Sequence, residues 1–334
     1  TMIKAYAVME AGGKLEPYEY DPGPLDDHDV EIDVEFCGMC HSDLSMINNE
    51  WGMTRYPLVP GHEVAGRIGA VGKHVTKFKL GDRVGLGWNS AYCNQCNTCL
   101  DGDQNLCAKA KGTIIGRHGG FADKVRAQAT SVVALPDGIS SEAAGPLFCG
   151  GVTVYNPLVQ FNIKPTDKVA VIGIGGLGHM ALKFLRAWGC EVTAFTSSES
   201  KVAQALELGA HKTLSSVDDD ALKKAAYSFD LVISTVNVGL NWNAYIQTLK
   251  AKGRLHFVGA LAEPVKINML GMMFAQRSVS SSPVGSPAVI AEMLEFANRH
   301  NIEADVETYD MKDVNAAVDR LENGSPRFRV VLKN

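Results

Sequence analysis

The 334-residue sequence predicts an α/β chain in which a β-rich domain is joined to a doubly wound parallel-sheet domain. Three observations point there. The first third carries short strand-like runs, Val30–Phe36, Glu63–Val71, Arg83–Gly87 and Val132–Leu135, separated by breakers such as Pro22-Gly23-Pro24 and Gly81-Asp82. After about Gly150 strand-like and helix-like segments alternate. The length fits two domains at roughly 100–200 residues each.

Short strands with frequent turns predict a Greek-key or barrel-like arrangement for the first region. In the second, the β-branched run Lys168–Ile172 ends in Gly173-Ile174-Gly175-Gly176-Leu177-Gly178. A helical pattern follows to Ala187, with Leu182, Leu185 and Arg186 at helical spacing. Then come a strand over Glu191–Phe195, a helix over Lys201–Leu208, and strands over Leu231–Ser234 and Arg254–Val258. Such alternation produces parallel strands with crossover helices. The tail, a helix over Val289–His300 and a strand over Phe328–Leu332, reads as a return to the first domain, which is then discontinuous.

A net charge of −5 gives no basic face for nucleic acid or anionic lipid. Apolar runs such as Val169–Ile172 are far too short to span a bilayer. Thr1-Met2-Ile3-Lys4 lacks the basic and apolar regions of a signal peptide, so a cytoplasmic location is expected. In a reducing compartment clustered cysteines read as metal ligands rather than disulfides.

Cys93, Cys96, Cys99 and Cys107 form the pattern C-x2-C-x2-C-x7-C. Four thiolates with tight turns between them suit tetrahedral zinc, with no place left for substrate; the site is expected to be structural and to rigidify a loop lacking its own core. An iron–sulfur cluster, or four buried or redox thiols, are the alternatives. Three further motifs are Cys37-Gly38-Met39-Cys40-His41-Ser42-Asp43, Pro60-Gly61-His62-Glu63 and Leu147-Phe148-Cys149-Gly150-Gly151-Val152-Thr153-Val154-Tyr155. Singly each is weak, because a lone Cys or His is more often a packing residue. Together Cys40, His62 and Cys149 offer a three-ligand zinc set with an open position, which polarises a carbonyl and stabilises an alkoxide.

In the order of these motifs, over nearly its whole length, the sequence resembles the zinc-containing medium-chain dehydrogenases/reductases. Within them it looks like the cinnamyl-alcohol-dehydrogenase branch, which includes bacterial NADPH-linked aldehyde reductases. The resemblance implies a GroES-like catalytic domain over residues 1–149 and 287–334 and a Rossmann domain over 150–286. It implies Cys40, His62 and Cys149 as catalytic zinc ligands, and Glu63 as a glutamate able to approach the metal during ligand exchange. It also implies Asp43 as the carboxylate orienting the ligand histidine, and Ser42 as the hydroxyl exchanging the alcohol proton. Asp43 read on its own is equally a helix N-cap. Cys37 and Cys190 carry no expected role.

Three departures stand out. Many relatives place a His three residues beyond the relay hydroxyl; here Ser45 stands there, leaving the outer relay to water or cofactor ribose hydroxyls and predicting a shallower acid limb in alcohol oxidation. The segment from Cys107 to Gly119-Gly120-Phe121-Ala122 is shorter than in plant members, so pocket shape does not carry over. Pro283 falls where relatives pair a strand across a dimer interface, and proline removes a ladder donor; a homodimer is still expected.

Gly173-x-Gly175-x-x-Gly178 after a strand and opening a helix is the dinucleotide fingerprint, extended by the backbone of Gly176 and Leu177. At the next strand's tip stand Thr196, Ser197 and Ser198, then Lys201; hydroxyls and a cation in place of a carboxylate favour NADP(H), with Glu199 the dissenting charge. A plain helix N-cap run is the alternative. The resemblance adds Thr153 beside the nicotinamide, His41 near the pyrophosphate, and backbone contacts from Val258-Gly259-Ala260 and Val284-Gly285. The expected activity is reversible hydride transfer between NADP(H) and a primary alcohol or aldehyde, with two zinc ions per chain. Trp51, Trp88, Leu147, Phe148, Phe274 and Val284 are candidate pocket walls, each also readable as core. Competing readings are a quinone reductase without catalytic zinc, an NAD-linked alcohol dehydrogenase, and a non-catalytic NADPH-binding protein keeping only the four-cysteine zinc.

Overall fold

The computed structural model describes residues 1–334 as two compact units, one of residues 1–152 with 284–334 and one of residues 153–283.

The first unit is organised by the long strand Asp29–Met39, which pairs with three neighbours: Glu63–Val71, Lys124–Gln128 and, antiparallel to its end, the final strand Arg329–Lys333. Val30, Ile32 and Val34 are buried while Glu31 and Asp33 are more accessible, the period-two pattern of a strand with one packed face; an irregularity in the pairing between Val34 and Phe36 then shifts the buried set to Cys37 and Met39. The seven-stranded sheet is completed by Arg83–Leu86, Val133–Ala134 and Val306–Asp310. Glu63–Val71 has the bounds that alternation predicts. The small hairpin Ile3–Ala7 with Glu16–Tyr20 was not expected; its second strand, Glu-Pro-Tyr-Glu-Tyr, is charged, proline-containing and largely exposed, so it carries no apolar alternation to read.

The second unit is a six-stranded parallel sheet in the order Lys212–Ser215, Glu191–Thr196, Lys168–Ile172, Phe229–Ser234, Leu249–Phe257, Ser278–Ser281. This is the 3-2-1-4-5-6 order of a Rossmann sheet. Its central strands are buried on both faces, hence the continuous Val169–Ile172 and Leu231–Ser234 runs. The helix Gly176–Trp188 buries Met180, Ala181, Leu182, Phe184 and Leu185 and ends on Gly189 in the left-handed region, a glycine C-cap. Two sequence expectations shift. Leu249–Phe257 starts five residues earlier than its apolar core because Lys250, Ala251 and Lys252 obscure the pattern. The edge strand stops at Ser281, so Pro283 lies outside the parallel pairing of this sheet. No helix is long and apolar enough to cross a membrane.

His256 sits fully buried between the last two strands, its Nδ1 2.8 Å from Ser280 Oγ and its Nε2 2.8 Å from Ser282 Oγ. Burial, aided by the Arg254 charge, pushes its pKa down to about 4. A base depressed in the fold binds fewer protons there than when unfolded, so its contribution is complete above about pH 6.5 and is lost as pH falls toward 4. Between pH 7 and 5 this amounts to about 2 kcal/mol, and His256→Gln should flatten the urea-unfolding stability over that window; an unchanged slope would show that His256 is not its source.

Candidate metal and cofactor sites

Four segments of the chain converge on one point of the first unit. The strand Asp29–Met39 runs into Cys40, which opens the short helix His41–Ile47. The turn Pro60-Gly61-His62 delivers Glu63 as the first residue of the neighbouring strand, directly opposite Gly38. The final strand brings Arg329 beside them, with Val331 opposite Gly38. Cys149 arrives on a π-helical turn, Leu147–Gly151, between two α-helical segments; such widened turns commonly mark functional sites.

The result is a compact donor set. The ligand atoms of Cys40, His62, Glu63 and Cys149 all lie within 4.8 Å of one another. Cys40 Sγ is 3.2 Å from His62 Nε2, near the ~3.5 Å edge of a zinc tetrahedron with one sulfur and one nitrogen. A proton from Cys149 shared onto Cys40, helped by the adjacent His62 charge, holds the Cys40 thiol well below its ordinary range and pushes Cys149 well above it. Burial works against a charged His62, but the Cys40 thiolate and Asp43 overcome it and raise its pKa. Two thiols and a buried imidazole competing for protons is the electrostatic condition that a dication relieves.

Asp43 binds this set together. Its Oδ1 is 3.2 Å from His62 Nδ1 and accepts from Gly61 N at 3.0 Å, while its Oδ2 accepts from Cys40 N at 3.1 Å. The N-cap reading of Asp43 is corrected: Cys40 occupies that position and Asp43 is the third helical residue, reaching back to the Cys40 N–H. Gly61 has φ +104, and a Cβ there would lie 2.7 Å from the Phe121 ring and 2.8 Å from Cys37 Sγ, so only glycine makes this turn.

Arg329 was not anticipated. It is buried and donates from Nη2 to Glu63 Oε2, which itself lies 4.0 Å from His62 Nε2. Burial pushes the Glu63 carboxyl up to about 7 against the opposing pull of Arg329. The Arg lies 266 residues away in sequence, and only strand pairing joins the two. Ser42 is half-buried as the second residue of the helix, His41 is exposed at its start, and Ser45 donates to Glu50 Oε2 at 2.9 Å. Among the candidate pocket walls, Trp88 stacks edge-on to the His62 ring with centroids 4.9 Å apart, and Trp51 packs edge-on to Trp88 at 6.2 Å. Leu147 and Phe148 are fully buried core, Phe148 filling the space above Gly85, whereas Phe274 is 84% exposed.

Cys93, Cys96, Cys99 and Cys107 also bring their sulfurs within 4.8 Å of one another. Cys93 Sγ and Cys99 Sγ are 3.9 Å apart, against ~3.8 Å for a tetrahedral edge with zinc–sulfur bonds of ~2.3 Å. Backbone N–H groups of Gln95 and Cys96 point at Cys93 Sγ (3.5 and 3.3 Å), that of Cys99 at Cys96 Sγ (3.4 Å) and that of Lys109 at Cys107 Sγ (3.4 Å). Those donors pull the Cys93 thiol down to about 6. The lobe's own apolar cluster is little more than Tyr92, Cys99 and Cys107, so the donor set fits a bound ion as its core.

In the second unit the fingerprint glycines divide the work. Gly173 has φ +94, and a Cβ on Gly178 would lie 1.9 Å from Gly173 O, so these two serve the turn and the helix–strand packing. A Cβ on Gly175 meets nothing within 4 Å; the backbone there faces open space, as a pyrophosphate requires. Gly176 and Leu177 open the helix, and His179 Nδ1 lies 2.7 Å from Gly176 O. Thr196 is buried at its strand's end, and Ser197, Ser198 and Lys201 are exposed beyond it. Ser198 is the N-cap residue yet makes no side-chain capping bond; its hydroxyl instead pairs with that of Ser200 at 3.1 Å. Thr153 is buried in the helix Val152–Gln160. Val258 and Gly259 donate to Ser234 O, and Ala260 follows in the same loop. Val284, in the other unit, has φ +32, an outlying conformation for a β-branched residue.

Comparison with known proteins agrees with this geometry. Residues 26–137 match the alcohol dehydrogenase GroES-like domain and residues 176–299 the zinc-binding dehydrogenase domain. An aldehyde reductase of Synechocystis sp. is 58% identical over 100% of this chain and 99% of its own. The chain belongs to the zinc-containing medium-chain dehydrogenases, in the cinnamyl-alcohol-dehydrogenase-like branch. It is a zinc-dependent alcohol dehydrogenase/aldehyde reductase. A probable cinnamyl alcohol dehydrogenase of Oryza sativa is 40% identical over 99% of this dehydrogenase and 95% of its own length. The solved cinnamyl alcohol dehydrogenase of Sorghum bicolor superposes with a TM-score of 0.95 at 39% identity, covering 100% and 98% of the two chains. That of Helicobacter pylori, solved with NADP(H), gives 0.91 at 30%, also covering 100% and 98%.

Removing a carboxylate that orients a ligand imidazole typically lowers metal affinity by about 10- to 100-fold. Asp43→Ala in this dehydrogenase should therefore lose zinc to a chelator that the unaltered protein resists, while the four-cysteine lobe keeps its ion; equal retention of both ions would remove Asp43 from the site.

Proposed function

We propose that this chain reduces primary aldehydes with NADPH, reversibly, at a zinc held by Cys40, His62 and Cys149, and that Cys93, Cys96, Cys99 and Cys107 hold a second, structural zinc. The observation that carries the reading is the buried cluster of three soft donors with Glu63 turned onto Arg329, which leaves one position for a substrate oxygen. When bound there, zinc supplies Lewis-acid polarisation of the carbonyl. Asp43 holds the His62 ring in the orientation that points Nε2 at the ligand cluster. Ser42 Oγ gives a proton to the nascent alcohol oxygen, and Ser45, tied to Glu50, leaves the onward path to solvent to groups other than an imidazole. Trp88, against the His62 ring, and Trp51, against Trp88, give an apolar, aromatic wall that favours aliphatic or aromatic aldehydes over polyols.

NADP(H) preference rests on the strand tip, where Thr196, Ser197, Ser198 and Lys201 offer hydroxyls and a cation for a 2′-phosphate. The Helicobacter pylori relative, solved with NADP(H), is in keeping with it. We also propose a homodimer. Met269, Leu270, Met273 and Phe274 are 63, 58, 63 and 84% exposed, an apolar cluster that a partner would cover. Sedimentation showing only monomer would oppose it.

Metal analysis should return two zinc ions per chain; one would favour a quinone-reductase or non-catalytic reading. Across aliphatic and aromatic aldehydes kcat/KM should be higher with NADPH than with NADH, and the reverse order would overturn the cofactor assignment. Ser42→Ala should lower kcat by about 10²- to 10⁴-fold with both zinc ions retained.

A further inference from the structure

Gly38 is the penultimate residue of the strand Asp29–Met39, paired to a neighbour on each side, where a glycine weakens the pairing and a side chain would ordinarily be preferred. Its φ is not in the positive region, so the backbone does not require glycine. Space does. A Cβ at position 38 would lie 2.3 Å from Glu63 Oε1, 3.0 Å from Glu63 Cβ and 3.2 Å from Glu63 Cδ. The nearest atoms all belong to one side chain, that of its cross-strand partner. Gly145 closes the other side: a Cβ there would meet the Glu63 carbonyl oxygen at 2.2 Å.

We propose that Gly38 is a positioning residue that forms the slot in which Glu63 rests against Arg329, and that this slot keeps the carboxylate off the metal and the fourth position free for substrate. The inference rests on the reading of Cys40, His62 and Cys149 as a zinc site. Glu63 is fully buried, with Oε2 bonded to Arg329 and Oε1 without any hydrogen-bond partner. Beside it lie Arg329, bonded to Oε2, and on the other side the His62 ring of the donor cluster, whose Nε2 is 4.0 Å away. A buried carboxylate displaced from one cation must find another. Filling the slot therefore drives Glu63 toward the ion, where it completes a four-ligand closed site of the structural kind.

The test is Gly38→Ala in the cobalt-substituted holoenzyme, with Arg329→Met as a second route to releasing Glu63. Both should shift the visible cobalt bands of the catalytic site, slow metal loss to a chelator by about tenfold, and lower kcat/KM by about 10- to 100-fold, mostly through KM. Adding Glu63→Ala to Gly38→Ala should restore the exchange rate and the bands of the Glu63→Ala protein. Unchanged bands in whichever variants fold, or a Gly38→Ala effect that persists without Glu63, would overturn the proposal. Failure of the unaltered protein to take up cobalt outside the four-cysteine lobe would instead overturn the zinc-site reading.

Discussion

The buried carboxylate of Asp43 is the constraint on which the site depends. With two oxygens it accepts from Cys40 N and Gly61 N and meets the His62 ring. One side chain thus fixes the start of a helix, the apex of a turn and the tilt of a ligand imidazole. Each bond is of ordinary strength, but all are fully buried, where a lost partner leaves an unpaired charge costing several kcal/mol. Such support from one buried group is what a preorganised metal position needs.

Around that carboxylate the sheet contributes placement rather than chemistry. The strands Asp29–Met39, Glu63–Val71 and Arg329–Lys333 end or begin together, so Gly38 faces Glu63 on one side and Val331 on the other, with Arg329 two residues before Val331. The π-helical turn adds the residue of advance that brings Cys149 to the other side. A buried Glu–Arg pair contributes little net stability, since desolvation offsets attraction. Its value here is positional: it holds a carboxylate at the edge of the donor cluster.

Much of this was legible in one dimension because the responsible physics is local. Four thiols in C-x2-C-x2-C-x7-C can wrap one ion whatever surrounds them, and a strand ending in Gly173-x-Gly175-x-x-Gly178 creates its anion site from its own backbone. The strands Glu63–Val71 and Lys168–Ile172 were readable to the residue since their burial matches their hydrophobic pattern. The hairpin strand Glu16–Tyr20 was not, because only Tyr18 and Tyr20 pack on the core, both half-buried, among charged and proline neighbours.

What the sequence determined by itself was the inventory: the fold class, two sets of soft donors, a dinucleotide turn and a strand tip without a carboxylate. The tertiary structure alone decided which groups face one another. Arg329 reaches Glu63 across 266 residues, Trp88 lies on the His62 ring, and Gly38 is revealed as a space rather than a bend. Spacing along a chain encodes contacts only within a turn or a hairpin. Contacts made by strands that meet from distant parts of the chain depend on register, and register is settled by how the whole sheet buries its apolar face.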